Sequence, residues 1–481
     1  MRLPLALVLL SGAASADYMD HFAIREDVGP HKAPSLGEVK ILVMPVEVKG
    51  HPPLDLAALE RFFSPDDPDG FVHYYETASL GRYRPRVTVG PKITFDTCPL
   101  PAATFPDCSV ARGDINAFGA GIDMIREVVK QTRDQGFDFS TIDVTGRRGG
   151  PDGWVDGVML LTNVPFGGIA FPIGYFNHDD NLDGGTGGPL IVNGVKVGHV
   201  AIAGDGNPYV LVHEFGHLLG LTDLYDESGT YAGLHLSVMG TWGYDANIVL
   251  PDAETRFRLR WANWHQVQGE QRVRIPPVET SGQVYRLGTG DEYFLVENRG
   301  PGEFDKSLHT RGLAVFHVDR TVGIDGREGA FVQRLLNCVN CDPWHPYIGL
   351  LQADGQFDIE KHQPFDEYGD LFRAGSALKV DPSGQAPSKD HLVLSSNYWS
   401  GAASGLKIGN IVVRSDGSID ATLTAPATGQ CDDRLCADGD GCAPVDCGVS
   451  NAGCTAAPGG LLAALAAVLV AAGRRTRGSG G

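Results

Sequence analysis

The sequence predicts an α+β fold, a mixed twisted sheet backed by helices and followed by a β-rich segment. Three observations carry this. Short runs of apolar and β-branched residues interleave with helix-period stretches through the first half of the chain. One further stretch carries two histidines four residues apart, at the spacing of one helical face. From Ile359 to Thr424 the chain continues in alternating segments that suit strands.

Taken in order, Val39–Val48 (Val-Lys-Ile-Leu-Val-Met-Pro-Val-Glu-Val) suits a buried strand, with Pro45 near an edge or bend because it cannot donate to a ladder. Leu54–Phe63 and Phe71–Ser79 read as helices, and Arg86–Phe95 alternates like a strand. Ile122, Ile125, Val128 and Val129 recur at helical spacing, so that helix should lay one face on the sheet. Val155–Leu161 and Val200–Ala203 are short apolar strands, and Gly409–Arg414 and Ile419–Thr424 are strands that close the domain. The globular body is therefore expected over residues 38–425.

At 481 residues, 42% hydrophobic and 20% charged, the chain has the composition of a globular protein with a large core rather than of a disordered one. Its 39 lysines and arginines stand against 59 aspartates and glutamates, a net charge of −20 that repels phosphate backbones and excludes nucleic acid as an expected partner. Simple solubility accounts for the acidic surface, which also suits calcium-rich extracellular surroundings.

Both ends read as addresses. Residues 1–16 combine Arg2, an apolar stretch from Leu3 to Leu10 and the small residues Ala13-Ala14-Ser15-Ala16, the pattern of a secretory signal peptide cleaved before Asp17. Residues 17–37 form a short N-terminal segment, and 426–453 a Pro-, Gly- and Asp-rich linker with Cys431, Cys436, Cys442 and Cys447. In 454–481, Cys454 precedes the apolar or small stretch Thr455–Gly473, long enough to span a bilayer, and then Arg474, Arg475 and Arg477 on the expected cytoplasmic side. This order resembles the MYXO-CTERM type of C-terminal sorting tail, which implies recognition at Cys454, removal of the tail and display on the outer cell surface; a plain membrane anchor is the alternative. In an exported chain Cys98 with Cys108 and Cys338 with Cys341 are candidate disulfides, and the Cys338-Val-Asn-Cys341 spacing suits a tight disulfide better than half a zinc site.

The chemistry concentrates in residues 213–223, His-Glu-Phe-Gly-His-Leu-Leu-Gly-Leu-Thr-Asp. His213 and His217 share a helical face, close enough for two imidazoles to hold one Zn2+ ion. Glu214 points round the helix, where a carboxylate can take a proton from water activated at the metal. Gly220 tolerates the left-handed cap that ends a helix, and the reversed chain can return Asp223 as a third ligand, leaving a fourth position open. Asp226 and Glu227 follow closely and are alternatives for that oxygen. Asp179, Asn181 and Asp183 with Gly184 repeat the opening half of a calcium loop, oxygen ligands on alternate residues and then a turn glycine. The closing glutamate is missing, since Leu190 stands there, so a polar surface turn competes with a Ca2+ site.

Ser237-Val-Met-Gly240 follows the histidine motif, and HExxHxxGxxD with a nearby Met in a tight turn resembles the metzincin zinc proteases. The resemblance implies that Met239 lies beneath the metal as an apolar floor. Within that group the chain resembles the immune inhibitor A-like secreted metalloproteases over roughly residues 38–425. The likeness rests on Tyr75-Glu-Thr-Ala-Ser-Leu-Gly81, His213 to Asp226, Tyr293-Phe-Leu-Val-Glu-Asn-Arg299, Gly312-Leu-Ala-Val-Phe-His-Val-Asp319, Leu351-Gln-Ala-Asp-Gly355 and Gly369-Asp-Leu-Phe372. It implies a metzincin-like catalytic domain, His213 and His217 as zinc ligands, Glu214 as general base, and calcium binding at acidic loops. The tyrosine that some metzincins carry two residues after the Met is replaced by Thr241; Tyr244 and His235 are substitutes without a geometric warrant. Relatives often carry a sizeable propeptide, and 17–37 is too short for one, so it is either a blocking strap with Asp27 or His31 near the metal or no inhibitor at all.

The expected activity is hydrolysis of peptide bonds in polypeptide substrates, with Zn2+ as cofactor and Ca2+ as a second candidate. The Val200–Ala203 strand is expected to pair with an extended peptide by strand addition. The alternative is a catalytically inactive surface adhesin or binding module that keeps the protease fold.

Overall fold

A computed structural model describes residues 33–97, 116–146, 150–165, 168–172, 190–225, 234–240, 248–322, 339–340, 342–363 and 365–426. Asp179, Asn181 and Asp183, the cysteines Cys98, Cys108, Cys338, Cys341 and Cys454, and the two terminal addresses lie outside the described residues.

The apolar run at Val39 forms β1 (Gly37–Val48), and its side chains are buried alternately on two faces. Such double burial is what a strand flanked by parallel neighbours requires. β1 pairs in parallel with β2 (Tyr83–Val89), β3 (Ile93–Phe95) and β4 (Gly157–Thr162). β5 (Gly168–Pro172) then pairs antiparallel with β8 (His199–Ala203), which itself runs parallel to β4. The order across the sheet is β2-β1-β4-β8-β5, with β3 continuing alongside β1 beyond β2.

Two expectations are corrected here. The Arg86–Phe95 stretch is two strands, because Gly90 and Pro91 interrupt the ladder between them. Pro45 sits inside the sheet, not at an edge. Gly90 N–H donates to Val43 O, so odd positions of β1 face the β2/β3 side. Pro45 thus turns its donorless nitrogen toward the gap after β2 pairing ends at Val43 and before β3 pairing begins at Val46, where no ladder bond is forfeited.

One face of this sheet presents Leu42, Met44, Val46, Val158, Leu160, Val200 and Ile202 to α3 (Asn116–Asp134) and to the hairpin β6 (Leu190–Val192)–β7 (Val195–Val197). Ile125, Val128 and Val129 supply the expected helical stripe; the Ile122 side chain lies outside the described residues. The opposite face carries α1 (Leu56–Phe62), α2 (Phe71–Ala78) and the histidine helix α4 (Val210–Leu218). Asp55 starts α1 by accepting from Ala58 N.

Beyond α5 (Ala253–Arg258) the chain becomes β-rich, as expected. β9 (Asn263–Gln266), β11 (Gln283–Leu287), β12 (Glu292–Arg299), β13 (Gly312–Asp319) and β14 (Ile348–Leu350) form one sheet. β10 (Gly269–Ile275), β15 (Lys407–Val413) and β16 (Ile419–Ala425) form another. Period two makes the five-stranded sheet a middle layer: Phe294 and Val296 pack against the three-stranded sheet, while Tyr293 and Leu295 pack toward the helices of the first half. The architecture is thus mixed α and β with a largely parallel first sheet and antiparallel later ones, compatible with α+β. Among the described residues no helix is long and apolar enough to cross a membrane.

Asp370 is fully buried, with Asp354, Asp358 and Asp366 nearby; burial first, then those charges, push its pKa up from 3.8 to about 7. The folded chain therefore holds this proton more tightly than the unfolded one. Stability from this group is present below about pH 4 and lost as pH rises through about 7. Asp370→Asn should flatten that part of the fall in Tm, measured by thermal melts across the window; an unchanged pH slope contradicts the assignment.

Candidate metal centre

Every residue of α4 is buried, so the helix is held by tertiary packing and not by its own amphipathicity. Phe215 sits in an aromatic cluster with Phe71, Tyr75 and Tyr83, and Trp261 continues it. Tyr75 Oη also donates to Val212 O at 2.6 Å, which pins the first turn of the helix to α2. Burying aromatic rings of this size contributes on the order of 2–3 kcal/mol each. The helix C-terminus is strapped as well: Ala33 N donates to Leu218 O at 2.7 Å, and Trp261 Nε1 to Ser35 O at 2.8 Å. Asp27 and His31, the residues considered for a blocking strap, lie outside the described residues.

Gly220 ends the helix as expected, with φ +86°. Gly220 N bonds to His217 O and Leu221 N to Gly216 O, the paired bonds of a Schellman cap. The cap does more than stop the helix. It brings Leu221 O to 2.9 Å from His217 Nδ1, and two residues later returns Asp223 beneath both imidazoles.

Asp223 Oδ1 lies 2.9 Å from His213 Nε2 and 3.4 Å from His217 Nε2. His213 Nδ1 is 2.8 Å from Val238 O. Carbonyl oxygens only accept, so both Nδ1 atoms carry the hydrogen and each neutral ring turns its Nε2 lone pair to the carboxylate. Three electron pairs then converge where water is excluded, with His213, His217 and Asp223 each no more than 1% exposed. A proton or a cation among them reconciles the three. Ligand bonds of about 2.0–2.2 Å at tetrahedral angles separate ligand atoms by about 3.3 Å, and the observed spacings fall around that value. Two imidazoles and one carboxylate form a donor set that suits zinc. The electrostatics agree: burial opposes protonation of His213, but the hydrogen bond and charge of Asp223 outweigh it and raise its pKa. Burial likewise works against the Asp223 anion, and the two imidazoles overcome it, holding the carboxyl far below the usual range.

Glu214 is buried beside the histidines, with ligand atoms of His213, Glu214 and His217 all within 4.8 Å of one another. Its neighbour is Gly168, the first residue of β5. A Cβ on Gly168 would meet Glu214 Oε1 at 2.0 Å and Val210 Cγ1 at 2.4 Å, so only glycine lets this strand approach the carboxylate. Met239 lies in a 3-10 turn, Val238–Gly240, directly against the helix, its Sδ 2.5 Å from where a Cβ on Gly216 would stand. Met239 thus packs on the histidine helix at Gly216, between His213 and His217 in sequence.

His235 stacks on Phe365 at 5.9 Å. Thr241, Tyr244, Asp226 and Glu227 lie outside the described residues. Of the other residues in the quoted segments, His317 is stacked between Phe294 and Trp399 and bonds to Glu292. Asp319 bonds to His345 and Thr321, Glu297 to Arg256 and Arg299, and Asp370 accepts from Asp366 N. Structural hydrogen bonding is what each does. Three participants were not legible as site residues, namely Tyr75, Gly168 and Arg299, the last of which donates to Leu236 O below the turn. A strand expected to border the site is also reassigned: β8 is interior, paired on both sides, because β5 adds antiparallel along its outer side.

No protein-family model matches the sequence, and no curated protein matches it.

Competition with a chromophoric chelator should show zinc affinity falling by more than about 100-fold in His213→Ala, His217→Ala and Asp223→Ala, beyond the loss typical of outer-shell changes. Asp226→Ala and Glu227→Ala should bind zinc as the parent does. Loss in either of those with retention in Asp223→Ala moves the third ligand.

Proposed function

We propose that the chain is an exported, surface-displayed zinc endopeptidase of the metzincin type. The observation that carries the reading is the convergence of His213 Nε2, His217 Nε2 and Asp223 Oδ1 beside a helix against which Met239 packs, with the Glu214 carboxylate alongside and β5, an edge strand among the described residues, passing it. The addresses at the two ends and the cysteine usage of the sequence support export.

Among the described residues β5, not β8, is the edge strand beside the site, so an extended substrate adds its backbone to β5 and is carried past Glu214. Bound zinc supplies Lewis acidity to the scissile carbonyl and to the attacking water. Glu214 accepts one proton from that water as its oxygen bonds to the carbonyl carbon, then delivers the proton to the departing amine as the C–N bond breaks. One water is consumed, and its second proton also passes to the amine, so that a carboxylate and an ammonium group are released. Val238 O and Leu221 O hold the two imidazoles in the tautomer that would turn each Nε2 lone pair toward the metal. Burial of Glu214 among Gly168, Val210 and the histidines excludes bulk water that would compete for its proton.

Purified protein should cleave denatured casein or gelatin, and chelation should abolish the cleavage. Glu214→Ala should lose about 10²–10⁴-fold in kcat while retaining zinc, the span typical of a lost general base. Equal turnover in the variant sinks the mechanism, and zinc binding without cleavage of any polypeptide favours a binding module. Gly168→Ala drives a methyl group into Glu214 and should lower kcat/KM by at least about tenfold, with 1.4 kcal/mol of misplacement sufficing; parent-like kinetics would show that β5 does not constrain the base.

A further inference from the structure

We infer that Arg299, on a strand of the second half of the chain, is a positioning residue for the metal centre, an assignment that rests on the zinc-site reading above. Odd positions of β12 face the helices of the first half, and there Glu297 and Arg299 meet Arg256 and Asp305. All four are no more than 2% exposed, and their charges balance two against two.

All five guanidinium hydrogens of Arg299 are used. Nε donates to Asp305 Oδ2 at 2.6 Å, and Nη2 to Asp305 Oδ1 at 2.6 Å and Leu250 O at 3.4 Å. Nη1 donates to Glu297 Oε1 at 3.0 Å and to Leu236 O at 2.8 Å. Leu236 belongs to the turn that carries Met239. Two residues on, Val238 O receives His213 Nδ1 at 2.8 Å. The guanidinium is thus one carbonyl removed from the group that orients a zinc ligand. Further ties keep that short path stiff: Ser237 Oγ bonds to Asp252 Oδ2 at 2.6 Å, Leu224 N to Met239 O at 2.8 Å, and Leu250 N to Asp305 Oδ1 at 3.0 Å.

Buried ion groups are weak stabilisers, since apolar residues of similar volume often do as well. What a guanidinium provides that an apolar side chain cannot is a planar fork of five donors in fixed directions. Here the fork clamps two backbone carbonyls, Leu236 O and Leu250 O, on either side of residues 241–247, against a carboxylate that cannot rotate. Lysine keeps the charge, but three donors on a flexible stem do not reproduce the fork.

The test compares Arg299→Lys with Arg256→Lys. Both break the same buried quartet and should lower Tm; Arg256 joins it through Glu297 Oε2 and not through the turn. Zinc affinity from chelator competition and the visible spectrum of the cobalt-substituted protein report the ligand geometry without relying on turnover. Arg299→Lys should bind zinc about 10–100-fold more weakly with a shifted cobalt band, as for loss of an outer-shell partner. Arg256→Lys should match the parent in both. Parent-like affinity and spectrum in folded Arg299→Lys overturn the inference, as does equal loss in both variants. If Arg299→Lys does not fold, Asp305→Asn, which keeps the shape but removes the charge anchoring the fork, should give a smaller loss of the same kind; parent-like zinc affinity there overturns it. A parent protein that folds and binds no zinc defeats the zinc-site reading itself, a separate outcome.

Discussion

Two imidazole lone pairs and a carboxylate oxygen face one another in a buried pocket, an arrangement that is repulsive until a cation or proton stands among them. Around that constraint the neighbouring structure acts as scaffolding. The Schellman cap returns Asp223 and orients His217, the turn at Met239 orients His213, and the aromatic cluster under Phe215 prevents the helix from shifting to relieve the repulsion.

The two halves of the chain contribute differently to this. The first sheet delivers α4 and sets β5 at its edge, where the glycine at 168 allows close approach to Glu214. The second half provides the middle β layer, whose inward residues are apolar at Tyr293 and Leu295 and charged at Glu297 and Arg299. The switch from apolar to charged along one strand face coincides with the place where the backbone carbonyls of Leu236 and Leu250 need donors. All five donors of Arg299 are met within this buried polar layer, whereas Arg256 Nε has no hydrogen-bond partner among the described residues.

Local patterns were the legible part. The helix of 213–218, its end at Gly220 and the return of Asp223 follow from spacing and from the conformational freedom of glycine, which act within a dozen residues. The strands at Val39, Val155, Val200, Gly409 and Ile419 were legible because β-branched runs bury on a pleat whatever their partners. Pro45 and Val200–Ala203 show the limit. Whether a strand is interior or at an edge depends on which neighbour arrives on each side, and neighbours such as β5 are distant or unremarkable in sequence.

The sequence by itself thus determined the donor types at the candidate metal centre, their helical spacing and the turn that brings Asp223 back, because each is a property of short-range backbone geometry. Only the tertiary structure decided that Gly168 abuts Glu214, that β5 is the edge strand among the described residues, that Tyr75 pins the helix and that Arg299 clamps the chain next to the turn that meets His213. Those contacts join residues between about 30 and 140 positions apart, where no periodicity or spacing links them and only close packing brings the groups together.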